Sequence, residues 1–244
     1  MNFKNVWTIT AKDLELFIKK KWIMYSALIL PLALSIGLPV IAWYVINNRN
    51  VPIQVLFPIF NAFSFFFLVL AAIIPTVIGS YSFVGEKTEK TLEPLLATPT
   101  TDDEILLGKS LAAFLPVIIM IFIGAVMFTV LMDIFTFAKV GYLYFPNWSF
   151  GIIILLDSPL ACVMSIEFSV IVSSRVNDVR SAQQLAALII IPFFALYLLT
   201  EIRVITLDVN TLLLIAGIIA IIDIALFFAS RAIFQREEIL TKWK

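Results

Sequence analysis

The sequence predicts an all-α, polytopic membrane protein of six transmembrane helices. An N-terminal interfacial amphipathic helix leads it, and a short cytoplasmic helix separates the second and third spans. Three observations predict this class. Sixty-one per cent of the 244 residues are hydrophobic and only 14% are charged, with a mean hydropathy of +1.04, well above that of soluble domains. The apolar residues form six runs, each long enough to cross about 30 Å of hydrocarbon at about 1.5 Å per residue. The basic residues gather in alternate connections between those runs.

Residues 1–21 place Phe3, Val6, Trp7, Leu14, Phe17 and Ile18 at three- and four-residue steps, with Lys4, Lys12, Glu15 and Lys19 between them. That periodicity predicts an amphipathic helix lying in the membrane interface, the alternative being a charged tail. The next apolar run is too long for a signal peptide and lacks a small-residue cleavage site. The permease body is taken as 22–244, with spans at about 22–46, 55–84, 105–134, 148–172, 182–199 and 211–229. Pro31, Pro39, Pro58, Pro75, Pro116, Pro159 and Pro192 fall in or near them. Neighbouring helices can satisfy the backbone groups that such prolines free.

Orientation follows from Lys and Arg. Fourteen lie in the N-terminal segment (Lys4, Lys12, Lys19, Lys20, Lys21), the 85–110 stretch (Lys87, Lys90, Lys109), the 173–181 connection (Arg175, Arg180) and the C-terminus (Arg231, Arg236, Lys242, Lys244). Only Arg49, Lys139 and Arg203 lie on the other side. Fourteen against three places both termini in the cytoplasm of a cell whose plasma membrane holds the chain. The outer connections, 47–54, 135–147 and 200–210, are too short to fold as domains. Tyr142, Tyr144 and Trp148 suit an outer aromatic belt.

Several functions are excluded early. Seventeen basic and seventeen acidic residues cancel, which removes any case for nucleic-acid binding by bulk charge. No histidine is present, so His-based acid–base chemistry, Ser-His and Cys-His nucleophiles and His-ligated metals are all absent. The single cysteine, Cys162, sits in an apolar run. Gly108-Lys109-Ser110 resembles the end of a phosphate-binding loop, but that motif needs glycine where Asp103 stands and a strand before it. This chain is therefore not expected to be an enzyme, nor to hold nucleotide or metal.

The longest charged interruption is the stretch Gly85, Glu86, Lys87, Thr88, Glu89, Lys90, Thr91, Leu92, Glu93, closely followed by Leu95-Leu96-Ala97-Thr98-Pro99. Its alternating charges suit a short surface helix. Thr101 and Glu104 then stand at capping-box spacing, with Asp102 and Asp103 on the first turn of the next helix. Together with Ile105-Leu106-Leu107-Gly108-Lys109, this passage resembles the permease subunits of ABC-2 type ATP-binding-cassette transporters. Here Lys90 replaces the family's usual glycine and Pro94 interrupts the helix.

The resemblance implies that the 85–104 loop contains a coupling helix that docks on a separate cytoplasmic ATPase. It also implies a second contact through Arg175, Asp178 and Arg180. Two permeases, identical or of two kinds, would join two ATPase subunits, which bind the ATP and Mg. Spans two and five would line the central path, drawing in Asn61, Phe193 and Phe194. The bland alternative for the phenylalanines is contact with lipid.

Asp157 and Glu167 on span four and Asp223 on span six are the remaining signals. Each costs about 2.5–3.5 kcal/mol if left charged at the bilayer centre, so each should face the bundle interior or water. They either line a path for protons, cations or cationic cargo, or are neutral packing residues that fix helix register. The expected function is thus the path-forming permease subunit of an ATP-driven exporter, with a small amphipathic molecule a more natural cargo than a large glycan. The main alternative is an ion-coupled secondary transporter or channel working through the three acids; a non-transporting membrane scaffold is a further one.

Overall fold

The computed structural model describes residues 2–48, 52–86, 98–176, 178–202 and 204–233, and no strand occurs among them. The chain runs through α1 (Phe3–Lys19), α2 (Lys21–Asn48), α3 (Ile53–Ser80), α4 (Asp102–Val140), α5 (Trp148–Arg175), α6 (Val179–Glu201) and α7 (Val209–Ile233). The last six are the helices long and apolar enough to cross a membrane, and they match the six runs in the sequence. Apolar surroundings demand that backbone N–H and C=O groups pair within their own segment, which an α-helix alone achieves for a single run.

The organising helix is α3, packed against α2, α4, α5 and α6. Buried residues make up 78% of its most apolar stretch, against 17% for α6. The phenylalanines therefore divide. Phe60, Phe65 and Phe67 are fully enclosed, with the Phe67 ring set edge-on to Phe128 and Phe150. Contact with lipid is not what these positions serve; they fill the centre of the bundle. On α4, Gly124 lets α2 approach, since a Cβ there would lie 2.8 Å from the Ser35 hydroxyl. Such small-residue contacts allow close helix packing where no hydrophobic effect drives it.

Two irregular turns have a shared cause. Proline removes an N–H and its ring crowds the carbonyl four residues earlier. For Pro159 that carbonyl is on Leu155, inside a π-helical turn at Ile153–Asp157. For Pro192 it is on Leu188, inside a 3₁₀ turn at Ala187–Ile189. Pro31, Pro39, Pro58, Pro75 and Pro116 sit in continuous helix.

The third span is longer than its apolar run suggests. It continues to Val140, where Gly141 adopts the left-handed conformation (φ 80°) and its N–H bonds the Phe137 carbonyl, an end that favours glycine. The following residues fold back on the helix, as Asp133 accepts hydrogen bonds from the backbone N–H groups of Tyr144 and Phe145, both at 3.0 Å. Tyr144 consequently turns inward and stacks on Phe57, whereas Tyr142 and Trp148 remain exposed.

Candidate functional site

Three elements meet at the end of the bundle where the basic residues gather. The first is α1, started by Asn2, whose side chain accepts from the Lys4 N–H. One face of α1 carries Val6, Ile9, Thr10, Asp13 and Phe17, and this face is buried, lying on the first turns of α4. Gly108 is the point of closest approach. A Cβ there would stand 2.8 Å from Ile9 Cβ and 3.0 Å from the Val6 carbonyl oxygen. The Thr10 hydroxyl bridges the helices, 2.9 Å from the Val6 carbonyl and 3.0 Å from that of Gly108.

Glu104 fastens the outer end of the same contact. It closes the capping box anticipated from Thr101, accepting from the Thr101 N–H while its own N–H donates to the Thr101 hydroxyl. The same carboxylate accepts from the Asn2 N–H at 2.5 Å and from Asn5 Nδ2 at 3.0 Å. One side chain thus caps α4 and tethers α1.

Beneath this contact lies a cluster of buried charge. Lys109 has no exposed surface. Its ammonium lies 2.6 Å from Glu86 Oε2 and 3.2 Å from Asp13 Oδ2, and it donates to the Ser82 carbonyl at 2.9 Å. The Ser82 hydroxyl donates to Asp13 Oδ2 at 3.1 Å, and Lys12 pairs with Glu86 Oε1 at 2.9 Å. Among the described residues, two cations and two anions balance. Removing a lysine from water costs several kcal/mol, which only close counter-charges and hydrogen bonds offset. Each group is held by another helix, so the cluster ties α1, the end of α3 and the start of α4 together.

The sequence-predicted coupling residues fall around this cluster. Gly85 ends the π-helical turn Tyr81–Gly85, where a Cβ would stand 2.9 Å from the Tyr81 ring. Glu86 is the last described residue before 87–97; Lys87, Thr88, Glu89, Lys90, Thr91, Leu92 and Glu93 lie outside the described residues. Arg175, Asp178 and Arg180 are exposed. Asp178 caps α6, accepting from the Ser181 N–H at 2.9 Å and hydroxyl at 3.0 Å. Those two hydrogen bonds, the N–H first, hold its carboxyl below the usual aspartate value. The first turns of α6 pack against the Tyr81–Gly85 turn, at the described edge of the predicted coupling stretch.

Sequence reasoning missed Asp13 and gave Lys109 only a place in a motif and a charge count. A signal for Asp13 was present. It falls seven residues after Val6 and four before Phe17, so it continues the apolar stripe of α1 where a solvated carboxylate does not belong.

The acids within the bundle separate into two places. Asp157 is fully buried on the π-helical turn of α5, a kind of irregularity frequent at functional positions. Glu167 on α5 and Asp223 on α7 lie within electrostatic range of one another. Among the described residues, neither oxygen of Asp157 or Asp223 has a hydrogen-bond partner, and neither does Glu167 Oε2. Glu167 also borders a cavity of about 210 Å³ between α4, α5 and α7.

Asn61 lies near the opposite end of the bundle. Its side-chain oxygen accepts from the Tyr144 hydroxyl at 3.0 Å and from Asn147 Nδ2 at 3.3 Å, and burial pushes the Tyr144 phenol pKa up. Asn61 borders a cavity of about 700 Å³ lined by the start of α3, Thr200, Glu201 and residues 205–208. Phe193 points into the core and Phe194 out of it, at 2% and 49% exposure. The structure therefore brings Glu167 and Asp223 together, but not with Asn61 or the phenylalanines.

No curated protein sequence matches the chain. The family model described as ABC-2 family transporter protein matches residues 7–213, from within α1 to the first turns of α7. With six membrane-length helices and that match over most of its length, the chain belongs to the ABC-2 family of transporter proteins and is a membrane component of such a transporter.

Proposed function

We propose that this chain forms the path of an ATP-driven exporter and receives the work of a separate cytoplasmic ATPase through the 85–104 loop. The single observation that carries the reading is the Lys109–Glu86 ion pair at the root of that loop. A soluble subunit can move a helix bundle only through a rigid element that has different contacts in two states. Here the loop root is not hinged freely on α3. It is locked to α1 and α4 by a neutral buried charge cluster, so a push on the loop reaches three elements together. ATP and Mg belong on the partner ATPase, with Arg175, Asp178 and Arg180 beside the same docking surface.

Two ATPase copies and a second permease complete the assembly. The exposed face of α6 supports that pairing, since Leu185, Leu188, Ile191, Phe194, Leu198 and Ile202 stand on it at three- and four-residue steps. With the basic end in the cytoplasm of a plasma-membrane protein, α1 lies at the inner surface. Phe3, Trp7 and Ile18 are exposed on it, as an interfacial helix requires.

The buried, unpartnered acids favour a second reading, ion-coupled transport without ATP. Reconstitution of the full chain in liposomes separates the two, with and without an ABC ATPase subunit produced alongside it. ATP-dependent, vanadate-sensitive export that Glu89→Lys abolishes while hydrolysis continues is the expected result. Gradient-driven flux through the chain alone would overturn it.

A further inference from the structure

We infer that the cavity between α4, α5 and α7 is a binding site for a small lipophilic amine, whose ammonium meets Glu167 while its apolar body fills the remainder. The cavity measures about 210 Å³. An engineered apolar cavity of about 150 Å³ holds a benzene, so the space suits an organic molecule of roughly ten heavy atoms. Its wall is almost wholly apolar, with Leu107, Leu111, Phe114, Val163 and Phe227 among the lining residues.

Glu167 breaks that wall. The side chain is more than nine-tenths buried, and its Oε2 has no hydrogen-bond partner among the described residues. Among the described residues, no lysine or arginine lines the cavity. Asp223 is a second carboxyl within electrostatic range of Glu167. An acceptor this deep in apolar surroundings is costly unless a donor reaches it, and a charged N–H donor forms the stronger bond.

The remaining chemistry narrows the occupant. Hard metal ions take about six oxygen ligands, whereas the only other polar side chains on the wall among the described residues are Ser110 and Ser230, the latter donating to the Phe227 carbonyl. A phosphate would meet no cation. A single ammonium on an apolar body satisfies both the carboxylate and the wall.

Position in the bundle supports the same occupant. Glu167 stands two residues from Ser165 and from Ser169. It therefore points roughly opposite the face of α5 that meets α3 at the Gly79–Ser169 contact. The cavity is thus a side pocket near the basic end, beside the exposed Leu111, rather than part of the α3–α6 surface. Its ligand would enter from the inner leaflet. Calling that ligand cargo rests on the exporter reading; the binding itself does not.

The test uses the full chain in phosphatidylcholine nanodiscs without any ATPase, with tritiated octylamine as the probe and empty nanodiscs as background. Saturable binding is expected, weakened at least tenfold by Glu167→Gln and a few-fold by Asp223→Asn. Val163→Phe, which fills the cavity and leaves the charge alone, should abolish it. Octanol, the uncharged analogue, should not displace the probe. Displacement by added phosphatidylethanolamine would assign the ammonium to a lipid headgroup; no displacement assigns it to a free amine. Absence of saturable binding, equal binding by folded Glu167→Gln, or displacement by octanol overturns the site. None of these depends on an ATPase, so the exporter reading stands or falls separately.

Discussion

Lys109 and Glu86 stand on opposite sides of the 87–97 stretch, yet their charged atoms are 2.6 Å apart in a place with almost no solvent. The pair closes the base of the charged loop. Asp13 of α1 shares the lysine at 3.2 Å, so the first helix is part of the same closure. In a family whose members move cargo through a membrane, this is where movement in the loop would enter the bundle.

Removing the lysine should be far worse than removing a surface cation. Lys109→Met strips the buried Asp13 of its lysine and leaves Glu86 only the half-exposed Lys12, and should cost about 3–5 kcal/mol. Neutralising all three positions, with Asp13→Asn and Glu86→Gln added, should recover most of that. Arg231 pairs with Asp103 at 2.7 Å but both side chains are largely exposed, so Arg231→Ala should cost about 0–1 kcal/mol. Unfolding midpoints of the detergent-solubilised chain check this order, and equal losses for Lys109→Met and Arg231→Ala would contradict it.

Gly108→Ala should loosen α1 from α4. The added methyl would overlap Ile9 Cβ at 2.8 Å and crowd the Val6 carbonyl at 3.0 Å, a strain of about 1–3 kcal/mol. Ile9→Ala should not rescue it, because Ile9 Cβ and the Val6 backbone remain. Limited proteolysis of α1 is the measurement; protection restored in the double variant would show that the contact is softer than argued.

Thr101→Ala and Glu104→Ala should differ although both break one capping box. The first loses a helix cap, worth about 1 kcal/mol. The second also releases the Asn2 N–H and the Asn5 amide, so only it should free the start of α1. Faster amide exchange over residues 2–5 in Glu104→Ala, with little change in Thr101→Ala, is the expected pattern.

Acid should release the cap of α6. Hydrogen bonds from Ser181 hold the Asp178 pKa below its ordinary 3.8. A lowered folded-state value means that the stabilisation is complete above the ordinary pKa and disappears as pH falls through the folded one, hence below about 4. The Ser181 amide should exchange faster in that range. Asn caps without titrating, so Asp178→Asn should flatten the response; an unchanged acid response in that variant would place its cause elsewhere.

How much of this was legible in the sequence depends on the range of the interaction. The six helices, the Thr101–Glu104 capping box and the helix stop at Gly141 rest on neighbouring residues, although the apolar run alone suggested an earlier end for α4. The inward turn of Tyr144 depends on Asp133, eleven positions away on a different element. The enclosure of Phe60, Phe65 and Phe67 depends on α3 being surrounded. No periodicity along one strand of text distinguishes a helix face that meets lipid from one that meets protein, because both are apolar.

The sequence by itself determined a bundle of six apolar helices with its positive charge at one end. Backbone groups without water must pair locally, and that demand is written in every run of about twenty residues. Only the tertiary structure decided that Asp13, Glu86 and Lys109 form one buried cluster, and that Glu167 looks into a side pocket with Asp223 nearby. Those outcomes hang on how helices rotate and approach one another. Glycines at 108 and 79 set that approach by the volume they lack, and its effect appears only when the helices are in contact.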